Sequence, residues 1–225
     1  MRLIAHRGFA GALPENTRRA VEEATEYADE IEIDVRRCKS GELVVIHDAT
    51  VDRVTDGSGA VADHTIDELR ALDVLGTGEG VPTLSAVLRA VPNHIGVNVE
   101  LKEPGIAVDA LTRMASLHPQ TLVSSFLPDE LADCRAAAPD VPRALITDDG
   151  DDAVRAARDL GCEYVHPSVD ACTERLVGAA HRQGLSVNVW TVRTRNEAER
   201  LAELGVDGII ADHWDVRSND ASFSE

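Results

Sequence analysis

Short apolar runs alternate with amphipathic segments along the whole chain. The runs at 3–6, 31–35, 96–101, 121–125, 143–147, 163–166, 186–191 and 208–212 read as strands. Between them, segments at 16–28, 107–117, 128–138, 151–159, 173–183 and 196–204 repeat apolar positions at helical spacing. Gly161, Gly184 and Gly205 follow three of these segments, where helix C-terminal caps belong. Strands alternating with helices predict a parallel sheet. Eight strands and seven connections in 225 residues predict a closed (β/α)₈ barrel of the TIM type, one domain spanning 1–225.

One segment breaks the alternation. Residues 32–37 and 43–47 are both strand-like, and only 38–42 lie between them. A parallel crossover needs about a dozen residues, so this pair is predicted to be an antiparallel hairpin turned by Lys39-Ser40-Gly41-Glu42. Pairing Cys38 with Leu43 would set His47 opposite Asp34. The rest of the insertion, roughly 38–82 in all, should pass over the same end of the barrel and include a short helix at 66–72. Residues 84–90 then form the helix leading into the next barrel strand. After the last strand only the polar stretch 213–225 remains, so the eighth helix should be short or absent.

Composition narrows the function classes. The chain is 44% hydrophobic, which predicts a folded domain. No apolar run approaches the roughly 20 residues of a membrane span. The first strand begins at residue 2 with no signal peptide before it, so a cytoplasmic protein is expected. Cys38, Cys134, Cys162 and Cys172 form no metal-type pair and read as free thiols. The formal net charge of −18 argues against nucleic acid and anionic membrane surfaces as partners. Lys39 and Lys102 are the only lysines, and acidic excess with so little lysine suggests adaptation to high internal salt, the alternative being an ordinary acidic protein from a GC-rich genome.

The candidate chemistry sits at predicted strand ends: His6-Arg7-Gly8, Glu32-Ile33-Asp34, His47-Asp48 and Glu100-Leu101-Lys102. In a parallel barrel such ends meet at one mouth. Glu32 and Asp34 share one face of a strand, about 6.7 Å apart along the backbone. Like charges at 4 Å repel by about 4 kcal/mol at an effective dielectric near 20, so a cation or proton is expected between them. Glu100 is placed to supply a third oxygen ligand, and an all-oxygen set favours Mg²⁺, with Ca²⁺ or Mn²⁺ as alternatives, over Zn²⁺. The competing reading is ion pairing with arginines on the barrel rim. His6 and His47 could share acid and base roles near neutral pH. Arg7 could grip a phosphate in bidentate fashion or bridge to the acidic rim. Lys102 shares the face of Glu100 or is a solvated surface lysine. Trp190 and Phe126 could wall a pocket or pack in the core. Asn16 and Thr17 read as helix caps. His166, Asp212 and His213 lie at strand ends without partners that can be specified, and the remaining histidines read as surface or packing residues.

These strings, together with Glu15-Asn16-Thr17, Pro82-Thr83-Leu84, Ser124-Ser125-Phe126, Trp190-Thr191-Val192 and Gly205-Val206-Asp207-Gly208, make a pattern. In this order and spacing the chain resembles the glycerophosphodiester phosphodiesterases over nearly its whole length. The resemblance implies a (β/α)₈ barrel with a small insertion after the second strand. It implies a small-molecule substrate, a glycerophosphodiester derived from a deacylated phospholipid, cleaved to glycerol phosphate and an alcohol. It implies a divalent ion on Glu32, Asp34 and Glu100, an acid–base pair in His6 and His47, phosphate contacts from Arg7 and Lys102, and a pocket wall at Trp190. The family commonly carries Thr-Asp-x-Pro at the last strand, where this chain has Ala211-Asp212-His213-Trp214. Two rivals are a phospholipase D-like lysolipid phosphodiesterase and a non-catalytic glycerophosphodiester-binding protein. A lysolipid needs an apolar channel or docking surface, and aromatic residues are only 3% of the chain.

Overall fold

A computed structural model describes residues 1–150 and 152–217. Eight parallel strands close a TIM-type barrel: β1 (Arg2–His6), β2 (Glu30–Arg37), β4 (Gly96–Leu101), β5 (Thr121–Ser125), β6 (Arg143–Thr147), β7 (Tyr164–Pro167), β8 (Ser186–Val192) and β9 (Gly208–Ala211). β1 pairs with both β2 and β9, which shuts the ring. The ninth strand, β3 (Leu43–Val45), lies antiparallel on β2. Helices α1 (Arg18–Ala24), α3 (Leu84–Ala90), α4 (Ala107–Leu117), α5 (Pro128–Ala137), α6 (Ala153–Asp159), α7 (Glu174–Arg182) and α8 (Arg195–Glu203) surround it, and α2 (Ile66–Ala71) belongs to the insertion.

The strands alternate more strictly than uniformly buried barrel strands do. Ile31, Ile33, Val35, Val97, Val99, Val123, Val165, Val187 and Val189 belong to the main apolar core. The intervening positions are buried but polar: Glu30, Glu32, Asp34, Asn98, Glu100, Ser124, His166 and Asn188. Side chains alternate along a strand, so one face builds the shell against the helices and the other fills the barrel axis with polar groups. That inner face is where chemistry is possible. A second apolar cluster, with Val44, Ile46, Val51, Leu69 and Val81, holds the insertion together. Threonines start the helices: Thr17, Thr65, Thr83, Thr173 and Thr194 each accept a hydrogen bond from the first turn, and Thr65 and Thr194 complete capping boxes.

Two details correct the sequence reading. The hairpin register is one residue off: Arg37 pairs with Leu43 and Val35 with Val45, so Asp34 lies opposite Ile46. The loop explains it. Cys38 N–H donates to Glu42 O, which leaves a three-residue loop ending in Gly41 at φ +95°, a left-handed position that favours glycine. The second detail concerns Asn16 and Thr17. Thr17 is the N-cap of α1, whereas Asn16 is buried at φ +59° and reaches the barrel mouth.

The expected shortfall after the last strand is met by a 3-10 turn, Trp214–Val216. Its Trp214 stacks on Tyr27 with ring centroids 5.0 Å apart and meets Phe9 edge-on at 5.8 Å, closing the gap beside β1. The rest of the expected tail, 218–225, and residue 151 ahead of α6 lie outside the described residues. Among the described residues no helix is long and apolar enough to cross a membrane.

Candidate active site at the barrel mouth

The strand ends surround one cavity. His6, Arg7, Glu32, His47, Glu100, Lys102, Phe126 and Trp190 all line it. Asp34, the ninth of the residues singled out from sequence, is buried beside it, and its strand partner in the register is Glu100.

Glu32, Asp34 and Glu100 offer oxygens that lie within 4.8 Å of one another. Burial is the largest influence on each. Burial, with Asp34 and Glu100 nearby, pushes the Glu32 carboxyl well above the usual carboxylate range. Burial and Asp34 push Glu100 up to about 7, against the pull of Lys102. Burial also opposes ionisation of Asp34, but Arg7, Lys102, His47 and the Asn16 amide outweigh it and hold that carboxyl below its ordinary value. The cations are close: Arg7 Nε is 3.2 Å from Asp34 Oδ2, and Lys102 Nζ is 2.6 Å from Glu100 Oε1 and 3.5 Å from Asp34 Oδ1. Asn16 Nδ2 donates to Asp34 Oδ2 at 2.9 Å. Glu32 Oε2 accepts the Arg7 backbone N–H at 2.9 Å, while its Oε1 is buried without a hydrogen-bond partner. An oxygen-only donor set with one orphaned buried oxygen fits a hard divalent cation.

Each candidate histidine is backed by an aspartate, and each aspartate by an arginine. His6 Nδ1 lies 2.6 Å from Asp212 Oδ1, and Arg193 Nε donates to Asp212 Oδ2 at 3.0 Å. His47 Nδ1 lies 2.6 Å from Asp48 Oδ1, and Arg53 Nε donates to Asp48 Oδ2 at 2.5 Å. A carboxylate on Nδ1 sets the tautomer and leaves Nε2 as the ring nitrogen available to a substrate. The Arg53 hydrogen bond, aided by His47, draws the Asp48 carboxyl down to about 2. Burial lowers the His47 pKa, against the opposing pull of Asp34 and Asp48. Glu15 ties the assembly together, accepting from Arg7 at 3.0 Å and from Arg53 at 2.7 and 2.8 Å.

Arg7 owes its direction to backbone geometry. It has φ +51° and Phe9 has φ +68°, both left-handed positions costing about 1–3 kcal/mol for side-chain-bearing residues. The turn is held by Arg7 N–H on Glu32 and by Asn16 N–H on the Arg7 carbonyl at 2.9 Å. On the opposite wall Phe126 and Trp190 meet edge-to-face at 5.4 Å, and Trp190 Nε1 donates to the His166 carbonyl at 2.8 Å. Phe126 is 40% exposed, so it forms a lip and not part of the core.

Asp212, Asn16, Glu15, Arg53 and His166 are parts of this mouth that residue patterns alone did not assign. Asp212 had a usable signal. In a closed barrel the last strand neighbours the first, and the observed Ala5–Ala211 register makes His6 and Asp212 neighbours across that seam.

Known proteins share this sequence pattern and fold. The model of the glycerophosphoryl diester phosphodiesterase family matches residues 6–216. A glycerophosphodiester phosphodiesterase of Caldanaerobacter subterraneus subsp. tengcongensis is 35% identical over 226 residues, covering 93% of each chain. Another, from Bacillus altitudinis, is 33% identical over 233 residues and 95% of each chain. Among solved structures, an Oleispira antarctica phosphodiesterase in complex with the product sn-glycerol-3-phosphate superimposes with a TM-score of 0.90 at 27% identity, covering 96% of this chain and 95% of that one.

Proposed function

The chain belongs to the glycerophosphoryl diester phosphodiesterase family and is an enzyme of that class, and from that premise we propose a metal-dependent hydrolysis with paired-histidine catalysis. Its substrates are glycerophosphodiesters, its products glycerol phosphate and an alcohol, and residues 1–225 act as one catalytic unit. The observation that carries the reading is the pair of aspartate-backed histidines facing three clustered carboxylates across one cavity.

Arg7 and Lys102 hold the phosphate oxygens at the mouth. One histidine accepts the proton of the glycerol hydroxyl vicinal to the phosphoester as that oxygen attacks phosphorus. The other donates a proton to the departing alcohol oxygen. The roles then reverse: a water loses its proton to a histidine, attacks phosphorus and opens the cyclic phosphate, and the hydroxyl is restored. Asp212 and Asp48 stabilise whichever imidazole is charged at each stage. Phe126 and Trp190 shelter the alcohol side of the phosphorus.

Glu32, Asp34 and Glu100 would hold a divalent cation, Mg²⁺ before Ca²⁺ or Mn²⁺, which when bound supplies positive charge to the phosphate oxygens. The local charge count favours this. With the cation bound, three ionised carboxylates and a phosphodiester monoanion balance it together with Arg7 and Lys102, whereas without it burial and crowding raise Glu32 and Glu100.

The test is direct. Purified protein with a soluble glycerophosphodiester and Mg²⁺ should release glycerol phosphate and the free alcohol, chelator should stop it, and added Mg²⁺ should restore it. Turnover that survives complete chelation would remove the cation from the mechanism, and no cleavage in either state would remove the substrate class.

A further inference from the structure

Beside the carboxylates the inner face of the barrel holds a second set of polar groups that the reaction above does not use, with Asn98 the register partner of Glu32 and Ser124 that of Glu100. Asn98 on β4, Ser124 on β5 and His166 on β7 line the same cavity, and each is 1% exposed or less. Both amide atoms of Asn98, the Ser124 hydroxyl and His166 Nδ1 are buried with no hydrogen-bond partner. Buried polar atoms are nearly always paired, so four unpaired ones on one cavity floor mark a place built to receive a hydrogen-bonding group.

The chemistry of that group follows from how His166 is held. Arg2 enters from the far end of the barrel, with Nη1 3.1 Å from Glu30 Oε2 and Nη2 3.4 Å from Asn188 Oδ1. A guanidinium only donates, so Asn188 must turn its oxygen toward Arg2 and its Nδ2 toward His166 Nε2, 3.0 Å away. Nε2 therefore accepts, and the single proton of the neutral ring sits on Nδ1. Burial keeps the ring neutral, holding its pKa down at about 3. The strand beside Asn188 makes room for it: a Cβ on Gly208 would lie 2.5 Å from Asn188 Oδ1.

The floor thus presents one fixed donor at His166 and two groups, Asn98 and Ser124, that both give and accept. It carries no formal charge. A phosphate would find no positive charge among these three groups, whereas a hydroxyl, itself donor and acceptor, is matched. The phosphate is occupied at the rim by Arg7 and Lys102, and the attacking hydroxyl must reach a rim histidine. The hydroxyl left to point inward is the one on the terminal carbon of the glycerol.

We propose that Asn98, Ser124 and His166 form a subsite for the terminal, non-attacking hydroxyl of the glycerol unit, with Arg2 and Asn188 as positioning residues that fix the His166 tautomer. The subsite rests on the phosphodiesterase reading and gives it a specificity: a three-carbon triol ester in preference to a shorter or deoxygenated one.

The experiment compares two substrates with the same leaving alcohol, a glycerol phosphodiester and the matching propane-1,2-diol phosphodiester. The second keeps the attacking hydroxyl and lacks only the terminal one. Wild-type kcat/KM should be about 10–100-fold higher for the glycerol ester, since its absence leaves buried groups unpaired. Ser124→Ala should shrink that ratio to a few-fold. His166→Leu should do the same and His166→Gln should partly restore it, and Ser124→Ala alone decides the matter if His166 variants do not fold. Arg2→Met should reduce the ratio and shift the ¹⁵N signals of His166 away from the Nδ1-protonated pattern, which a purely structural role for Arg2 would not do. Equal rates on both esters by wild type would overturn the subsite and make the floor a water site. Cleavage of neither ester would overturn the phosphodiesterase reading and the subsite with it.

Discussion

The two histidine–aspartate pairs look alike at the ring and are built in opposite ways. His6 and Asp212 are 206 positions apart and meet only because β1 and β9 close the barrel. His47 and Asp48 are sequence neighbours on the insertion, steadied by Arg53 and Glu15. The first pair is well covered, with 13% side-chain exposure on each partner, and the second is more open at 31% and 28%. One pair therefore depends on global closure and the other on a local hairpin and its salt links. In the reaction proposed above, one pair would carry the acid and the other the base.

The largest effects should come from removing either ring. His6→Ala and His47→Ala are each expected to lower kcat by about 10²–10⁴-fold with little change in melting temperature, the span for losing a general acid or base. A folded variant with full turnover would take that histidine out of the mechanism. Next come the aspartates. Asp212→Asn and Asp48→Asn both disturb the Nδ1 partner, but water can substitute more readily at the open pair. Asp212→Asn should therefore lose roughly tenfold more kcat than Asp48→Asn, within the range of up to about 10⁴ known for such orienting carboxylates. It should also lower the melting temperature, because the barrel seam loses its Arg193 link too. Equal losses would mean that burial does not separate the pairs.

A smaller effect distinguishes them by acid. The Asp48 carboxyl is held at about 2 in the folded chain, chiefly by Arg53, against an ordinary 3.8. A carboxyl depressed by folding contributes stability that is full above about pH 4 and lost as pH falls through about 2. Arg53→Gln should therefore reduce stability above about pH 4 and have a diminishing effect toward about pH 2, seen as converging melting curves. A difference that persists unchanged to about pH 2 would assign the stability to something other than this link. Salt should act on both pairs alike. With a net charge of −18, raising KCl from about 0.1 M to about 2 M should raise the melting temperature of wild type and of both aspartate variants, as screening shortens from about 10 Å to below 3 Å. A flat series would make the acidity incidental and leave the pairs untouched.

The barrel was legible because its cadence is local: each apolar run and each capped helix announces itself within a dozen residues. The hairpin was legible because five residues cannot cross over a sheet. Its register was not, since one residue either way depends on which loop type Gly41 adopts. His47 and its aspartate stood together in sequence, as did Glu32 and Asp34. Asp212 did not declare itself because its partner is supplied by ring closure. Asn16 was hidden by Thr17, an equally good cap one residue later that in fact takes the role. His166 and Asn188 sit on an inner face whose polarity only appears once the strands are paired into a ring.

The central claim is that the two pairs divide acid and base work in one reaction, and the dependence on leaving group tests it most directly. Wild type, His6→Ala and His47→Ala would be assayed on two glycerol phosphodiesters, one releasing an alkyl alcohol and one releasing p-nitrophenol, which departs without protonation. One variant should recover toward wild-type kcat/KM on the p-nitrophenyl ester while the other stays impaired on both, which also names the acid. Recovery of both variants, or of neither, would contradict the claim.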